Sequence, residues 1–420
     1  MRVVLINTLD LQGGAAVACE RLHQALLSHG VDSIRLVQQT SREKLDVVPI
    51  VTNPWQRLLA LVREYRERLR FMLLERSKDV RFQFSIANTG LDISRHPAVQ
   101  SADIIHLHWI NKGFLSLNSL QKLAALGKPI VWTMHDNWPF TGGCHYPGTC
   151  DHYLVHCGNC PMLSNPSEFD ISNQIWHKKD LIFADYQNFL FVACSKWLAQ
   201  KAISSSLLKN HKVLSIPNPI DIDKFKAVDK AEAKIKLGLD PARKYMLFLA
   251  ANADDPRKGF AYLKEALSKI KASTKDWSLL LVGKTNIDPN DLPLDSVALG
   301  SIPSTEIVGA YQAADVFVIP SLEDNLPNTV MEAMACGTPV IGFATGGIPE
   351  MVDHLINGYL TETGNSQGLA DGFEMIMQNE ELLKIWAIDA RNKVLSHYQF
   401  EKVAAQYIEQ YQSTLASLPQ

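Results

Sequence analysis

Residues 316–350 read VFVIPSLEDNLPNTVMEAMACGTPVIGFATGGIPE, and this stretch decides the fold of the chain. It predicts an apolar strand at 316–320, a polar turn, a helix that ends near Cys336, and a second apolar strand from Pro339. A strand–loop–helix unit of this kind directs backbone N–H groups and the positive end of the helix dipole at the loop. Phosphate is the natural occupant of such a loop.

Two acids in this stretch stand eight positions apart, Asp324 in the loop and Glu332 in the helix. Carboxylates beside a phosphate site suit neutral hydroxyls, such as those of a sugar and a ribose, which donate hydrogen bonds to them. The alternative is a buried corner between strand and helix whose acids cap the helix and face water.

The stretch resembles the donor-binding signature of family-four retaining glycosyltransferases. It has an acid, then seven residues, and then EAMACGTPV at 332–340. The family usually has Glu where this chain has Asp324. The resemblance implies the GT-B fold, in which two Rossmann-like α/β domains face a cleft and the final helix crosses back onto the first domain. It also implies a nucleotide-diphosphate sugar as the donor.

Apolar runs alternate with helical patterns along the whole chain, which predicts α/β domains with right-handed crossovers. Many of these runs are continuous, as is typical of parallel strands covered on both faces. The segment 214–221 has two prolines and few helix formers, and we interpret it as a hinge. We therefore expect an acceptor domain at 1–213, joined by 400–420, and a donor domain at 214–399. The predicted strands are 2–7, 33–38, 103–109, 129–135, 189–194, 245–250, 278–283, 297–299, 316–320 and 339–344.

Composition fits a two-domain globular enzyme. The 420 residues are 46% apolar and 20% charged, with a net charge of −3. A negative net charge does not indicate a basic nucleic-acid-binding surface, so no nucleic-acid partner is expected. The sequence contains no run of about 18 apolar residues, so no membrane-spanning helix is predicted. The N-terminus becomes polar too early for a signal peptide, so a cytoplasmic location is expected.

Three groups are candidates for binding the donor diphosphate. Gly13 and Gly14 follow the first strand and resemble the family's glycine loop; a flexible turn is the alternative. Arg257 and Lys258 follow a strand of the second half and supply cations for phosphate oxygens; a solvated surface pair is the alternative. Backbone N–H groups from Leu326 to Asn328 would complete these contacts at the helix start.

The predicted catalytic residues are His135, Asp324 and Lys258. His135 ends a strand and resembles the family's cleft histidine, which can bond the donor sugar; the alternative is that it caps the strand and bonds Asp136. Fixed cations and the helix terminus would stabilise the leaving phosphate, so no catalytic cofactor is expected. The resemblance implies retention of configuration.

Four of the seven cysteines fall within one short segment, at Cys144, Cys150, Cys157 and Cys160. The C-x2-C pair can wrap a tetrahedral metal, and four thiolates would suit a structural Zn²⁺. Disulfides and free thiols are the rivals, although the expected cytosolic location disfavours disulfides. A redox role for the C-x2-C pair is a further alternative.

Residues 54–76 form a long helical pattern with six Arg and three Glu. Basic amphipathic helices can lie in a membrane interface, which predicts peripheral contact with the inner face of a membrane. The alternative is an ordinary core-facing helix whose arginines are solvated.

The sequence as a whole predicts a hexosyltransferase-like enzyme that moves a sugar from a UDP- or GDP-sugar to a hydroxyl of a glycan or lipid-linked acceptor. The resemblance implies a role in capsule, O-antigen or exopolysaccharide biosynthesis. The first alternative is a catalytically inactive scaffold that binds nucleotide sugars. The second is a sugar-nucleotide epimerase on the same fold, which would lack the acid and Glu signature.

Overall fold

The computed structural model describes residues 1–40, 45–284, 286–303 and 306–417. The chain forms two compact units. Unit 1 comprises Met1–Pro219 together with Val403–Gln420, and unit 2 comprises Ile220–Lys402. Residues 418–420 of the predicted returning segment lie outside the described residues.

Unit 1 is built on a parallel sheet of seven strands. The strands are β1 (Arg2–Asn7), β2 (Asp32–Val37), β3 (Val47–Pro49), β4 (Ile104–Leu107), β5 (Ile130–Met134), β6 (Phe189–Ala193) and β7 (Val213–Ser215). The helices before residue 219 are α1 (Gly14–Ser28), α2 (Pro54–Met72), α3 (Pro97–Gln100), α4 (Leu117–Ala124), α5 (Ile171–Asp185) and α6 (Lys196–Ser204). The strand order is β3-β2-β1-β4-β5-β6-β7, and neighbouring strands run parallel.

Unit 2 is built on a second parallel sheet, of six strands. The strands are β8 (Lys244–Asn252), β9 (Trp277–Lys284), β10 (Ser296–Gly300), β11 (Val316–Ile319), β12 (Val340–Phe343) and β13 (Gly358–Thr361). The helices are α7 (Lys230–Lys236), α8 (Phe260–Lys269), α9 (Ile307–Ala313), α10 (Asn328–Ala335), α11 (Ile348–Met351), α12 (Ser366–Gln378) and α13 (Glu380–His397). The order is β10-β9-β8-β11-β12-β13.

The predicted fold class, two parallel-sheet α/β domains, is confirmed. Central strands such as β4, β5 and β11 are buried along their whole length, because helices cover both faces of each sheet. Sequence patterning did not predict β3, β7 and β13. These strands have three or four residues, too few for an apolar run to stand out.

The final helix, α14 (Phe400–Ala416), returns to the first unit as predicted. Val403, Tyr407 and Tyr411 on this helix are buried and belong to one apolar cluster with Val3 and Leu5 of β1. The C-terminal segment therefore completes the core of unit 1.

Each sheet has one point where the strand order reverses. In unit 1 the chain runs outward from β1 to β2 and β3, and then returns to β4 on the other side of β1. In unit 2 it runs outward from β8 to β9 and β10, and then returns to β11 on the other side of β8. Ligands of open α/β sheets bind outside the carboxyl ends of the strands at such a point, because the loops there diverge and leave a crevice.

Candidate active site

The loops after β8 and β11 bring a predicted cation and a predicted acid together. Lys258 follows β8 and Asp324 follows β11, the two strands that flank the reversal in unit 2. The Lys258 Nζ lies 2.7 Å from Asp324 Oδ2, and the two side chains are 33% and 18% exposed. The site therefore presents a partly hydrated ion pair rather than two separate charges.

Arg257 is placed differently from Lys258. Its guanidinium donates to Asp255 Oδ2 at 2.8 Å, within its own turn. Its backbone carbonyl accepts from the Leu322 N–H at 2.8 Å, which ties the two loops together. Each of the two predicted phosphate ligands is therefore paired with an aspartate and is about one third exposed, at 30% for Arg257 and 33% for Lys258. Their binding of phosphate stays a prediction.

Two glycines lie against the backbone of the loop after β11. Gly259 has φ +69°, and a Cβ there would lie 1.8 Å from the Pro320 carbonyl oxygen. Gly346 has φ +58°, and a Cβ there would lie 1.7 Å from the Asp324 carbonyl oxygen. Only glycine fits either position. Sequence reasoning missed this role of Gly346, for which the signal was a pair of glycines that begins three residues after β12.

The helix α10 begins at Asn328, after Pro327, with no side-chain cap. Proline has no N–H, so the predicted range Leu326–Asn328 does not supply three donors. Leu326 itself is buried. The Val330 N–H already bonds to the Pro327 carbonyl at 3.1 Å. Donor binding by the Leu326 and Asn328 N–H groups stays a prediction.

Glu332 is buried, in contrast to Asp324. Its Oε2 accepts a hydrogen bond from the Tyr311 hydroxyl of α9 at 2.7 Å. A ligand hydroxyl that used this oxygen would compete with Tyr311. The role of Glu332 in binding a donor stays a prediction.

In unit 1, the glycine loop follows β1 and lies beside the reversal point of the first sheet. Gly13 and Gly14 are exposed, and Gly13 caps α1 with φ +88°, a conformation that favours glycine. A Cβ on Gly13 would meet nothing within 4 Å. The Gly13 carbonyl accepts from the Val17 N–H at 3.1 Å, and donor binding by this loop stays a prediction.

His135 follows β5 and lies in a chain of hydrogen-bonded polar side chains. Its Nε2 is 2.9 Å from His108 Nδ1, and its Nδ1 is 3.4 Å from Cys194 Sγ. The neighbouring Asp136 bonds to His145 at 2.7 Å and to the Trp138 N–H at 2.8 Å. Burial lowers the pKa of His135 to about 4, so its imidazole is neutral at pH 7.

His106 and His108 of the neighbouring strand end are both buried. His106 stacks on His108 with ring centroids 4.5 Å apart. Its two ring nitrogens bond to the Tyr411 hydroxyl at 2.6 Å and to Thr133 Oγ1 at 2.7 Å. This network links α14 to the histidine row, which the sequence could not show because Tyr411 is 305 residues from His106.

In the cysteine segment, Cys157 and Cys160 are buried and Cys144 and Cys150 are half-buried. All seven cysteines are free thiols, and in the described part of the chain no three or more His, Cys, Asp or Glu side chains are arranged to hold a metal ion. Burial raises the pKa of Cys157 to about 11 and of Cys160 to about 12, so both stay protonated at neutral pH. Burial also raises the pKa of Cys144, and so do the charges of Cys157, Cys160 and Cys150, because the four thiols lie near one another. Zinc releases protons from thiols as it binds, so the structural zinc site stays a prediction.

Two family models together match most of the chain. The model described as Glycosyltransferase Family 4 matches residues 12–224, just over half of the chain. The model described as Glycosyl transferases group 1 matches residues 229–393. The residues of the candidate donor loops fall within the second match, and Gly13, Gly14 and His135 fall within the first.

Several curated proteins are similar to this chain. A glycosyltransferase of Haemophilus influenzae is 26% identical over 216 residues, which is 50% of this chain and 58% of that protein. The N-acetyl-alpha-D-glucosaminyl L-malate synthase of Bacillus anthracis is 27% identical and covers 75% of this chain and 76% of its own. The amylovoran biosynthesis glycosyltransferase AmsK of Erwinia amylovora is 26% identical and covers 60% and 67%. The chain thus spans less than two thirds of the first of these relatives.

Solved structures share the fold at low sequence identity. Sucrose-phosphate synthase of Thermosynechococcus elongatus superposes with a TM-score of 0.67 at 18% identity, covering 99% of both chains. The Anabaena protein HepE, solved with UDP-glucose, gives a TM-score of 0.64 at 16% identity, covering 98% of this chain and all of its own. At these identities the likeness concerns the fold.

Proposed function

This chain belongs to Glycosyltransferase Family 4, and on that premise we propose that it is a retaining glycosyltransferase that uses a nucleotide-diphosphate sugar. The observation that carries this proposal is the Lys258–Asp324 pair, joined at 2.7 Å where the strand order of unit 2 reverses. UDP-glucose, the ligand of the Anabaena protein, is the first donor to test.

The ion pair suits an exchange of partners on donor binding. A diphosphate carries more charge than the Asp324 carboxylate, so it competes for Lys258, while the first N–H groups of α10 add donors to it. The freed carboxylate of Asp324 then accepts hydrogen bonds from sugar hydroxyls. In the absence of donor the same pair keeps the lysine and the acid mutually neutralised.

In the transfer step, the bond between the anomeric carbon and the phosphate oxygen breaks, and the nucleoside diphosphate leaves with the electron pair. The acceptor hydroxyl oxygen bonds to the same face of that carbon and loses its proton to the departing phosphate oxygen. Lys258 stabilises the charge that develops on this leaving group. We assign to the neutral His135 a hydrogen bond to the donor sugar.

The acceptor is proposed to be a hydroxyl of a glycan or of a lipid-linked saccharide. The relative from Erwinia amylovora, named for amylovoran biosynthesis, supports a place in polysaccharide assembly. A lipid-linked acceptor would bring the enzyme to the inner face of the membrane. Among the described residues, no helix is long and apolar enough to pass through a bilayer.

The test uses the purified full chain with UDP-, GDP- and ADP-sugars, read first as a rise in melting temperature. Lys258→Ala is expected to lower the transfer rate about 100-fold or more, because one oriented donor to the transition state is removed. Glu332→Gln is measured beside it to test the buried acid. The matched control is Lys264→Ala, an exposed lysine of α8.

Near-normal transfer by both Lys258→Ala and Glu332→Gln would overturn the site assignment. Donor binding without turnover on any glycan extract would instead favour the scaffold alternative. Isomerisation of the donor without an acceptor would favour the epimerase.

A further inference from the structure

The helix α2 contacts the rest of unit 1 through one narrow stripe. Its buried residues are Ala60, Glu67 and Phe71, which recur on one side of the helix. Phe71 stacks on Phe84 with ring centroids 4.6 Å apart. The Glu67 carboxylate accepts from two backbone N–H groups, those of Ala87 at 2.7 Å and Gly113 at 3.0 Å. This stripe fixes which way the helix faces.

The opposite side of α2 is apolar and exposed. Trp55 is 77% exposed and Leu73, just beyond the helix, is 83% exposed. At about 100° per residue, the exposed apolar side chains cover an arc of about 160° centred opposite the buried stripe. We call this arc the docking face; it comprises Trp55, Leu58, Leu59, Leu61, Val62, Tyr65, Leu69, Met72 and Leu73.

This orientation excludes the core-facing alternative drawn from the sequence. An amphipathic helix of a globular protein directs its apolar arc at the core and its charged arc at water. In α2 the apolar arc is in water, and an acid, Glu67, lies on the inner side. Exposed apolar patches of this kind mark interaction surfaces.

Arginines border the docking face along both of its edges. By helical position, Arg57 and Arg68 lie along one edge, and Arg66 and Arg70 lie along the other. Arg57, Arg66 and Arg70 are exposed, whereas Arg68 is half-buried and pairs with Glu64 at 2.9 Å. With five arginines and two glutamates, α2 has a net charge of +3 in a chain whose net charge is −3.

We propose that the docking face lies in the interface of an anionic phospholipid bilayer. The apolar arc would enter the boundary between headgroups and acyl chains, while the bordering arginines reach lipid phosphates on either side. Trp55 and Tyr65 add aromatic rings of the kind that favour this depth. The charge on both edges favours this occupant over a protein, which would need acids on both sides of an apolar groove.

This inference does not depend on the transferase function, because vesicle binding needs neither donor nor acceptor. The experiment mixes the full chain with vesicles of phosphatidylcholine and phosphatidylglycerol at 3:1, or with phosphatidylcholine alone, and measures co-sedimentation. We expect binding to the anionic vesicles that weakens as salt increases and is at least tenfold weaker on neutral ones.

Two variants separate the charged edges from the apolar arc. The first, Arg57→Glu with Arg66→Glu and Arg70→Glu, is expected to reduce vesicle affinity at least 100-fold, since each basic residue adds about 1 kcal/mol at such a surface. Arg63 is left unchanged because it donates to the Gly113 carbonyl at 3.3 Å and helps to seat the helix. The second variant, Leu58→Ser with Leu61→Ser and Leu69→Ser, is expected to reduce affinity at least tenfold.

The matched control reverses three exposed charges elsewhere in unit 1, Arg95→Glu, Lys209→Glu and Lys212→Glu, for the same change in net charge. It is expected to bind vesicles nearly as the wild type does. Equal binding by the control and the arginine variant, or by the serine variant and the wild type, would overturn the proposal. A concentration-dependent dimer that the serine variant abolishes, without vesicle binding, would overturn it in favour of a second copy of the chain.

Discussion

The candidate residues lie at the carboxyl ends of the strands in each unit, and we call this end of each sheet its edge. The two edges differ in whether their titratable side chains are charged. At the edge of unit 2, Lys258 and Asp324 keep partly exposed charges in contact. At the edge of unit 1, His106 and His108 are buried and His135 is half-buried, and burial lowers the pKa of all three. Both edges have the same topology, a parallel sheet whose strand order reverses.

The difference comes from the loops and helices that cover the strand ends. After β8 and β11, short loops leave Lys258 and Asp324 partly exposed, so a multiply charged ligand can replace one member of the ion pair. After β4 and β5, aromatic residues and α14 cover the polar groups, which therefore bond to one another as neutral partners. A common scaffold thus supports an electrostatic site in one unit and a preorganised neutral network in the other.

The largest expected effect tests whether the shape of the charged edge depends on glycine. Gly346→Ala should lower the free energy of unfolding by at least about 3 kcal/mol, because the added Cβ would meet the Asp324 carbonyl and also occupy a left-handed backbone. Denaturant unfolding measures the change. Donor binding should weaken as well, since the loop that holds Asp324 must move.

The control for this variant is Gly238→Ala in the same unit. Gly238 has φ +71°, but a Cβ there would meet nothing within 4 Å. It should lose only about 1 kcal/mol, the cost of the left-handed conformation. Equal losses at the two positions would show that the close approach of Gly346 to Asp324 does not shape the edge.

A smaller effect on stability is expected from the buried histidines at the edge of unit 1. Burial, with a contribution from His135, lowers the pKa of His106 to about 3, below its value of about 6.5 in an unfolded chain. A lowered pKa contributes stability that is full above pH 6.5 and is lost as the pH falls towards 3. Between pH 7 and pH 5 this histidine should account for a loss of about 2 kcal/mol.

The measurement compares urea unfolding of the wild type and His106→Gln at pH 7, 6 and 5. The fall in stability from pH 7 to pH 5 should be about 2 kcal/mol smaller in the variant. The control is His29→Gln, at an exposed position. A pH dependence that is the same in the wild type and His106→Gln would mean that His106 is not buried as a neutral group.

The smallest effect concerns the ion pair itself. Asp324→Asn should change the free energy of unfolding by less than about 0.5 kcal/mol, because partly exposed ion pairs contribute little to stability. The same variant should reduce glycosyl transfer strongly if Asp324 binds the donor. A large stability loss together with normal transfer would show that the ion pair stabilises the fold and does not bind the donor.

Much of the fold could be predicted from residues that are close in the sequence. The apolar runs of β1, β5, β11 and β12 were predicted because each is a continuous local pattern. The short strands β3, β7 and β13 were missed, since three or four residues carry too little pattern to separate from a loop. Their positions depend on neighbouring strands that already exist.

The candidate site was only half predictable for a related reason. Lys258 and Asp324 were named from their own loops, but their direct pairing, across 66 residues of chain, depends on β8 and β11 being neighbours. Gly346 was overlooked because its close partner, the Asp324 carbonyl, belongs to another loop. The zinc site at Cys144, Cys150, Cys157 and Cys160 stays a prediction.

The sequence alone determined the α/β class, the signature around Glu332 and the apolar and basic composition of α2. Each of these depends on consecutive residues and on the period of a helix or a strand. Only the tertiary structure decided that Lys258 meets Asp324, that the histidines are neutral, and that the apolar arc of α2 is directed at water. Contacts, burial and orientation arise between segments that are far apart in the chain. The free energies that fix them therefore come from packing, which no local pattern contains.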